Sequence, residues 1–93
     1  MPKYYFTHKA VADLDEIWDY TFEQWSEKQA DDYYDMLIAS CEKIAQNSSL
    51  GRSYKGIIDN LYGLRTNRHI IFYRIIKKDE IEVERILYER MDL

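Results

Sequence analysis

The chain has 93 residues, of which 46% are hydrophobic and 15% aromatic, and a formal net charge of −4. This supports one domain across residues 1–93, near the lower limit for folding without cross-links, and the apolar content excludes a disordered chain. A single cysteine, Cys41, excludes an internal disulfide and a cysteine-built metal cluster. No apolar run approaches the ~18 residues of a membrane helix. Met1-Pro2-Lys3 leads into Tyr4-Tyr5-Phe6 without the long apolar core of a secretory signal, so a cytoplasmic protein is expected.

Lys3 to Phe6 is a short aromatic strand, and Thr7 is placed to cap the helix that follows. Val11, Leu14, Ile17/Trp18, Thr21/Phe22 and Trp25 recur at three and four residues, which predicts an amphipathic helix over 8–25. Asp13, Asp15, Glu16, Asp19 and Glu23 fall largely off that stripe. Ser26 followed by Gln29 reads as a capping box, opening a second helix over 27–47 with a stripe of Ala30, Tyr33/Tyr34, Leu37, Cys41 and Ile44. The short connection implies an antiparallel helical hairpin.

Gly51 to Asn60 reads as a loop, after which the hydrophobic period changes from helical to alternating. Strands are expected at 61–66, 68–77 and 80–88, joined by turns at Thr66-Asn67 and Lys77-Lys78-Asp79. From Ile70 to Ile76 every residue but Arg74 is β-branched or aromatic, which predicts a central strand covered on most of both faces. In the last strand Ile81 and Val83 alternate with glutamates until Arg85-Ile86-Leu87 breaks the pattern. Either a bulge rotates the strand there, or Arg85 sits on the apolar side because it has work to do. The fold class is α+β, in the order β-α-α-β-β-β, with the N-terminal hairpin on one face of a small antiparallel sheet.

Charge is unevenly distributed. Residues 1–50 hold four Lys/Arg against ten Asp/Glu, a net of −6, whereas residues 51–93 hold nine against seven, a net of +2. Two faces with different partners would produce this asymmetry, as would acids that only solvate exposed helices. The acids form no paired catalytic constellation. His8 and His69 lack the neighbours of a metal site, the three glycines make no phosphate cradle, and Cys41 lies in an apolar stripe as a small core residue. No metal or cofactor is expected.

The cations of the second half remain: Arg52, Lys55, Arg65, Arg68, Arg74, Arg85 and Arg90, with His69, Tyr73 and Tyr88 among them. Arginine forks on a rigid sheet suit phosphate, carboxylate or a protein partner. Arg74 and Arg85 could instead pair with Glu82 or Glu84 across strands. Arg65, Arg68, His69, Arg85, Tyr88 and Arg90 come from the last three strands or their ends, and adjacent strands lie ~4.8 Å apart. They are expected to share the face opposite the helices, because guanidinium groups under the hairpin would need partners.

Several segments carry a family likeness in their order and spacing. The first helix has Ala12-Asp13-Leu14-x-x-Ile17-x-x-Tyr20 and then Trp25; the second has Gln29-Ala30-x-x-Tyr33-x-x-x-Leu37. Leu50-Gly51-Arg52 follows, then Gly63-Leu64-Arg65, Arg68-His69-Ile70-Ile71-Phe72-Tyr73-Arg74 and Arg85-Ile86-Leu87-Tyr88-Glu89-Arg90-Met91-Asp92. From about Phe6 to Leu93 the chain resembles the ParE branch of the RelE/ParE toxins of bacterial type II toxin–antitoxin modules. It departs from the family pattern with Asn47-Ser48 where Asn-Pro is usual, and with Tyr88 where a histidine is common.

The resemblance implies a toxin neutralised by a cognate antitoxin, with DNA gyrase as target, no enzymatic step, no cofactor, and no sequence-specific nucleic-acid binding of its own. On this basis Arg65, Arg68, His69, Arg85, Tyr88 and Arg90 are the candidate target surface. Trp18, Phe22, Trp25 and Tyr34 are candidate aromatic anchors for an antitoxin segment that folds on binding, with a helix on the hairpin and extended chain near the sheet. RelE-type members instead cleave mRNA on the ribosome. A net charge of −4 weighs against that alternative, since phosphate neutralisation dominates RNA affinity. A binding module that keeps the fold without toxicity is the third reading.

Overall fold

The computed structural model describes residues 1–90. Strand β1 (Lys3–Phe6) leads into helix α1 (His8–Gln24) and helix α2 (Glu27–Gln46). A 3-10 turn at Ser48–Leu50 and a two-residue strand β2 (Arg52–Ser53) follow, then β3 (Tyr62–Thr66), β4 (His69–Lys77) and β5 (Glu80–Tyr88). The helices start where the sequence predicts. Thr7 Oγ1 accepts the Ala10 N–H at 3.1 Å and Ser26 Oγ accepts the Gln29 N–H at 3.1 Å, satisfying donors that each first turn leaves unpaired.

The sheet runs β1-β5-β4-β3-β2. The three expected strands pair antiparallel, with β4 interior between β3 and β5. β1 adds a parallel edge on β5, with Lys3 opposite Glu80 and Phe6 opposite Val83, so the sheet is mixed rather than wholly antiparallel. β2, within the predicted loop, pairs with β3 through Arg52–Gly63 and Ser53–Tyr62. Both two-residue turns are tight because Asn67 (φ 56°) and Asp79 (φ 62°) take the left-handed conformation that these short polar side chains tolerate.

On the helix side, Ile71, Tyr73, Ile81, Val83 and Ile86 meet Ala10, Leu14, Leu37, Cys41 and Ile44 in the main core. Burial pushes the Cys41 thiol up to about 12, as suits an inert core residue. The opposite face carries a smaller cluster of Leu61, Phe72 and Leu87, covered by Tyr54 and Ile70. Three successive residues of β4, Ile71, Phe72 and Tyr73, are therefore buried, while Arg74 and Ile76 beyond them are exposed. The Tyr73 hydroxyl donates to Ser48 O at 2.7 Å and accepts the Gly51 N–H at 2.9 Å. A Cβ at position 51 would collide with that hydroxyl, which explains the glycine.

The apolar stripe of α1 is wider than the face it buries. Ala10, Asp13 and Leu14 are the buried residues of the helix, whereas Val11 (45%), Phe22 (47%) and Trp25 (70%) remain exposed. Asp13, expected on the solvated side, is only 8% exposed. β1 leaves the sheet after Phe6, so β5 loses its edge partner beyond Val83. Glu84 is a bulge there: Phe72 pairs with Arg85 and Tyr73 with Val83. Asp13 closes the gap by accepting the Ile86 N–H at 2.9 Å and the Arg85 guanidinium at 2.8 Å (Nε) and 3.0 Å (Nη2).

Both alternatives for the broken alternation therefore hold together. The bulge rotates the strand, and Arg85 works as the partner of a helix carboxylate. Replacing Asp13 by Ala strands a buried N–H and unpairs Arg85, and should cost about 2–4 kcal/mol. A urea midpoint lowered at unchanged m-value is the expected readout; a loss below about 0.5 kcal/mol, the scale of an ordinary surface change, would show the contact to be incidental.

Candidate functional site

The β3–β4 turn and the end of β5 lie together at one end of the sheet. His69 pairs with Thr66 on one side and Tyr88 on the other, and the Glu89 N–H donates to Arg68 O at 2.9 Å. Arg65, near the end of β3, forms an ion pair with Glu89 and donates through Nε to Asn67 O at 3.3 Å. Arg68 in the turn is exposed, and the neighbouring Tyr88 side chain chiefly favours its charged form. Arg90 is exposed just beyond β5. The structure thus brings Arg65, Arg68, His69 and Tyr88 together, with Arg90 two residues past Tyr88, and adds Glu89 as a counter-charge that the sequence reading missed.

His69 belongs to the helix side of this end. Its Nδ1 lies 2.7 Å from the Tyr33 hydroxyl of α2, and that hydroxyl is 3.4 Å from the Arg68 N–H. The Tyr33 hydroxyl thus joins the His69 ring to the backbone of the turn. The ring packs edge-on against Tyr33 at 5.5 Å and Tyr88 at 5.6 Å between centroids. Burial lowers its pKa below the ordinary histidine value, outweighing Glu89 and Asp13, and so favours the neutral form.

The expectation that all six residues share the face opposite the helices is therefore corrected. His69 is bonded to α2 and Tyr88 packs on it, while Arg85 is held by Asp13 of α1. The cost of a guanidinium near the hairpin is met by a two-pronged carboxylate partner. Arg85 is thereby tied to the helical hairpin. Arg74 does take the predicted cross-strand partner, with Nε 4.0 Å from Glu84. Arg52 lies over the Tyr54 ring, 5.9 Å from its centroid.

Glu84 itself is unusual. Its Oε2 is buried without a hydrogen-bond donor, and Glu82 stands beside it. Two ionised carboxylates can only accept, so desolvation first and Glu82 second push Glu84 up to about 7.

The four aromatic candidates divide between two flanks of the hairpin. Trp18 stacks on Phe22, centroids 5.3 Å apart at 7°, and shares a shallow cavity of about 350 Å³ with Asp31, Tyr34 and Asp35. Trp25 lies on the other flank of α2, in a groove of about 370 Å³ with Gln29, Asp32, Tyr33 and Met36. Tyr33 thus lines that groove and holds His69 at once. Among the described residues no cluster of three or more His, Cys, Asp or Glu side chains could hold a metal ion, and no helix is long and apolar enough to cross a membrane.

A family model described as the ParE toxin of type II toxin–antitoxin systems (parDE) matches residues 4–93. The chain belongs to the ParE toxin family. It is 34% identical over 91 residues to Toxin ParE1 of Mycobacterium tuberculosis, covering 98% of this chain and 93% of that protein. It is 32% identical over 92 residues to Toxin ParE1 of Caulobacter vibrioides, covering 99% and 94%. A solved chain of the chromosomal ParDE system from P. aeruginosa superposes with a TM-score of 0.79 at 22% identity, covering 95% of this chain and 96% of that one. The resemblance drawn from the sequence is confirmed at the level of family and fold, and the chain is a ParE-like toxin of a type II toxin–antitoxin system.

The ParE-like scaffold here carries two titrations of opposite sign. Folded His69 binds a proton less readily than unfolded His69, so its contribution to stability is present above the ordinary value of 6.5 and is lost as pH falls through its depressed folded pKa. Folded Glu84 binds a proton more readily, so its contribution is present below 4.5 and is lost as pH rises through about 7. In urea unfolding across this range, His69→Gln should remove a rising component of the stability–pH slope and Glu84→Gln a falling one. Slopes that change in the same direction in both variants would contradict these environments.

Proposed function

We propose that this chain inhibits DNA gyrase through the cationic end of its sheet, by binding alone, and that a cognate antitoxin neutralises it in the cytoplasm. The match to the ParE family across residues 4–93 is the observation that carries this reading. Arg65, Arg68 and Arg90 supply exposed guanidinium groups, and the rigid β3–β4 turn fixes the position of Arg68. Trapping a cleaved gyrase complex requires a surface that binds it better than the resealed one, with no bond made or broken by the toxin. The neutral, doubly packed His69 is consistent with such a surface, since its Nδ1 is already occupied by Tyr33. A net charge of −4 also suits a protein target better than bulk ribosomal RNA.

One observation favours a second reading, the ribosome-dependent ribonuclease. His69 and Tyr88 lie ring to ring beside Arg68, two titratable groups next to a cation. Purified protein separates the two. Under the gyrase reading it blocks supercoiling and leaves ribosome-bound mRNA intact. Cleavage of mRNA, reduced about 100-fold or more by Tyr88→Phe in a folded protein, would establish the ribonuclease instead. Induction without any effect on growth would leave only a binding module. Co-expression of the antitoxin from the adjacent reading frame should restore growth.

A further inference from the structure

Glu82 and Glu84 stand two residues apart on β5. Ile81 and Val83 turn into the main core, so both glutamates lie on the face away from the helices. Arg74 of β4 faces the two together: it is opposite Glu82 in the ladder, and its Nε lies 4.0 Å from Glu84 Oε1. That contact is long and serves one oxygen of Glu84. The other oxygen, Oε2, is buried without a donor, and the group beside Glu84 is the Glu82 carboxyl.

Two ionised carboxylates offer four acceptors and no donor, so this contact is complementary only when one of them carries a proton. The surrounding groups are engaged elsewhere. From β1, Tyr5 is opposite Glu82, but its hydroxyl donates to Glu80 Oε1 at 3.2 Å, and Lys3 is opposite Glu80. Lys77 also pairs with Glu80, at 3.1 Å. Thr7, which caps α1, gives its hydroxyl to the backbone oxygen of Glu84 at 2.8 Å. Arg85 is held by Asp13 of α1 through two nitrogens. Glu82 and Arg74 are the charges that act on Glu84, and they act in opposite directions.

We propose that Glu82 and Glu84 hold one proton between them and that this proton locks the β5 bulge. Bound, it joins the two side chains by a hydrogen bond. Released, it leaves two like charges at the point where the strand is already irregular, and favours its opening. The position gives the proton leverage. Glu84 is the bulged residue, Thr7 holds its backbone oxygen, and the next two residues, Arg85 and Ile86, are the ones that donate to Asp13. The acid pair therefore sits against the contact that ties α1 to β5, and pH sets how firmly that contact closes. The device is independent of what the toxin binds.

Carboxyl NMR of protein labelled with 13C at glutamate reads the proton directly. One glutamate should titrate at about 7. Glu82→Gln supplies an amide donor to Glu84 in place of the proton, and should lower that midpoint by about two units. Should this variant fail to fold, Glu82→Ala, which removes the charge without adding a donor, should still lower it by about one unit. Hydrogen exchange of the Ile86 N–H reads the lock. With a closed-state value of about 7 and an opened-state value of 4.5, protection should fall about tenfold from about pH 6 to about pH 8, after correction for intrinsic exchange. In Glu82→Gln the change should stay within about twofold. No glutamate titrating above about pH 6, or a midpoint unmoved in the Glu82 variants, would overturn the shared proton. A midpoint that moves while Ile86 protection is the same at both pH values would overturn the lock.

Discussion

The carboxylate of Asp13 is the contact on which the rest of the arrangement depends. β1 protects the edge of β5 only as far as Val83, and Thr7 extends this cover by one residue, donating its N–H to Val83 O and its hydroxyl to Glu84 O. Beyond that point the strand bulges and the Ile86 N–H would face the apolar underside of a helix. A side chain on α1 takes the role of the missing strand, accepting that N–H and two from Arg85. The contact fixes α1 against β5, and the hairpin turn then fixes α2. With α2 in place, Tyr33 reaches His69 and Arg68 at the far end of the sheet. Placing one acid on the core side of a helix, usually unfavourable, is stabilising here because the buried Ile86 N–H and the Arg85 guanidinium both donate to it.

This geometry separates two surfaces of opposite charge. The cationic end is built from a turn and a strand terminus, whose backbone is held by ladder bonds and by Asn67 in the left-handed region. The acidic, aromatic surface is the flank of the hairpin, where stacking of Trp18 on Phe22 fixes the rings in place without burying them. Tyr33 and Met36 connect the cationic end to the other flank of the hairpin. They line the Trp25 groove, while Tyr33 holds His69 and Met36 receives Asn67. A partner filling that groove would touch the back of the turn that carries Arg68, so the two surfaces are adjacent without being shared.

Much of the fold was legible because hydrophobic period and cap residues agree with the tertiary structure. The change from helical to alternating spacing located the hairpin and the three long strands, and Thr7 and Ser26 marked the helix starts. The parallel pairing of β1 was not legible, since four residues carry no signal of direction. Asp13 departs from the rule that charge marks an exposed position. Its position three residues after Ala10 and next to Leu14 puts it on the core side of α1, and Arg85 takes the next place in the Ile81, Val83 alternation of β5. Read jointly, a buried-phase acid and a buried-phase base suggest each other as partners. The site was legible as a set of arginines and aromatics but not as an arrangement. Which face a strand residue takes after a bulge, and whether Tyr33 serves the core or His69, are decided by packing between segments far apart in sequence.

Assigning the target surface to the cationic end, and the docking of the neutralising partner to the hairpin, makes the two activities separable. The most direct measurement is an Arg65→Ala/Arg68→Ala variant assayed in parallel for inhibition of gyrase supercoiling and for affinity to the cognate antitoxin. Both side chains are exposed, so the fold should survive their truncation. Inhibition reduced by about tenfold or more, with antitoxin affinity held within about twofold, is the expected result for loss of charge-assisted contacts to one partner alone. Full inhibition by the variant, or parallel loss of both activities in a folded protein, would contradict the separation.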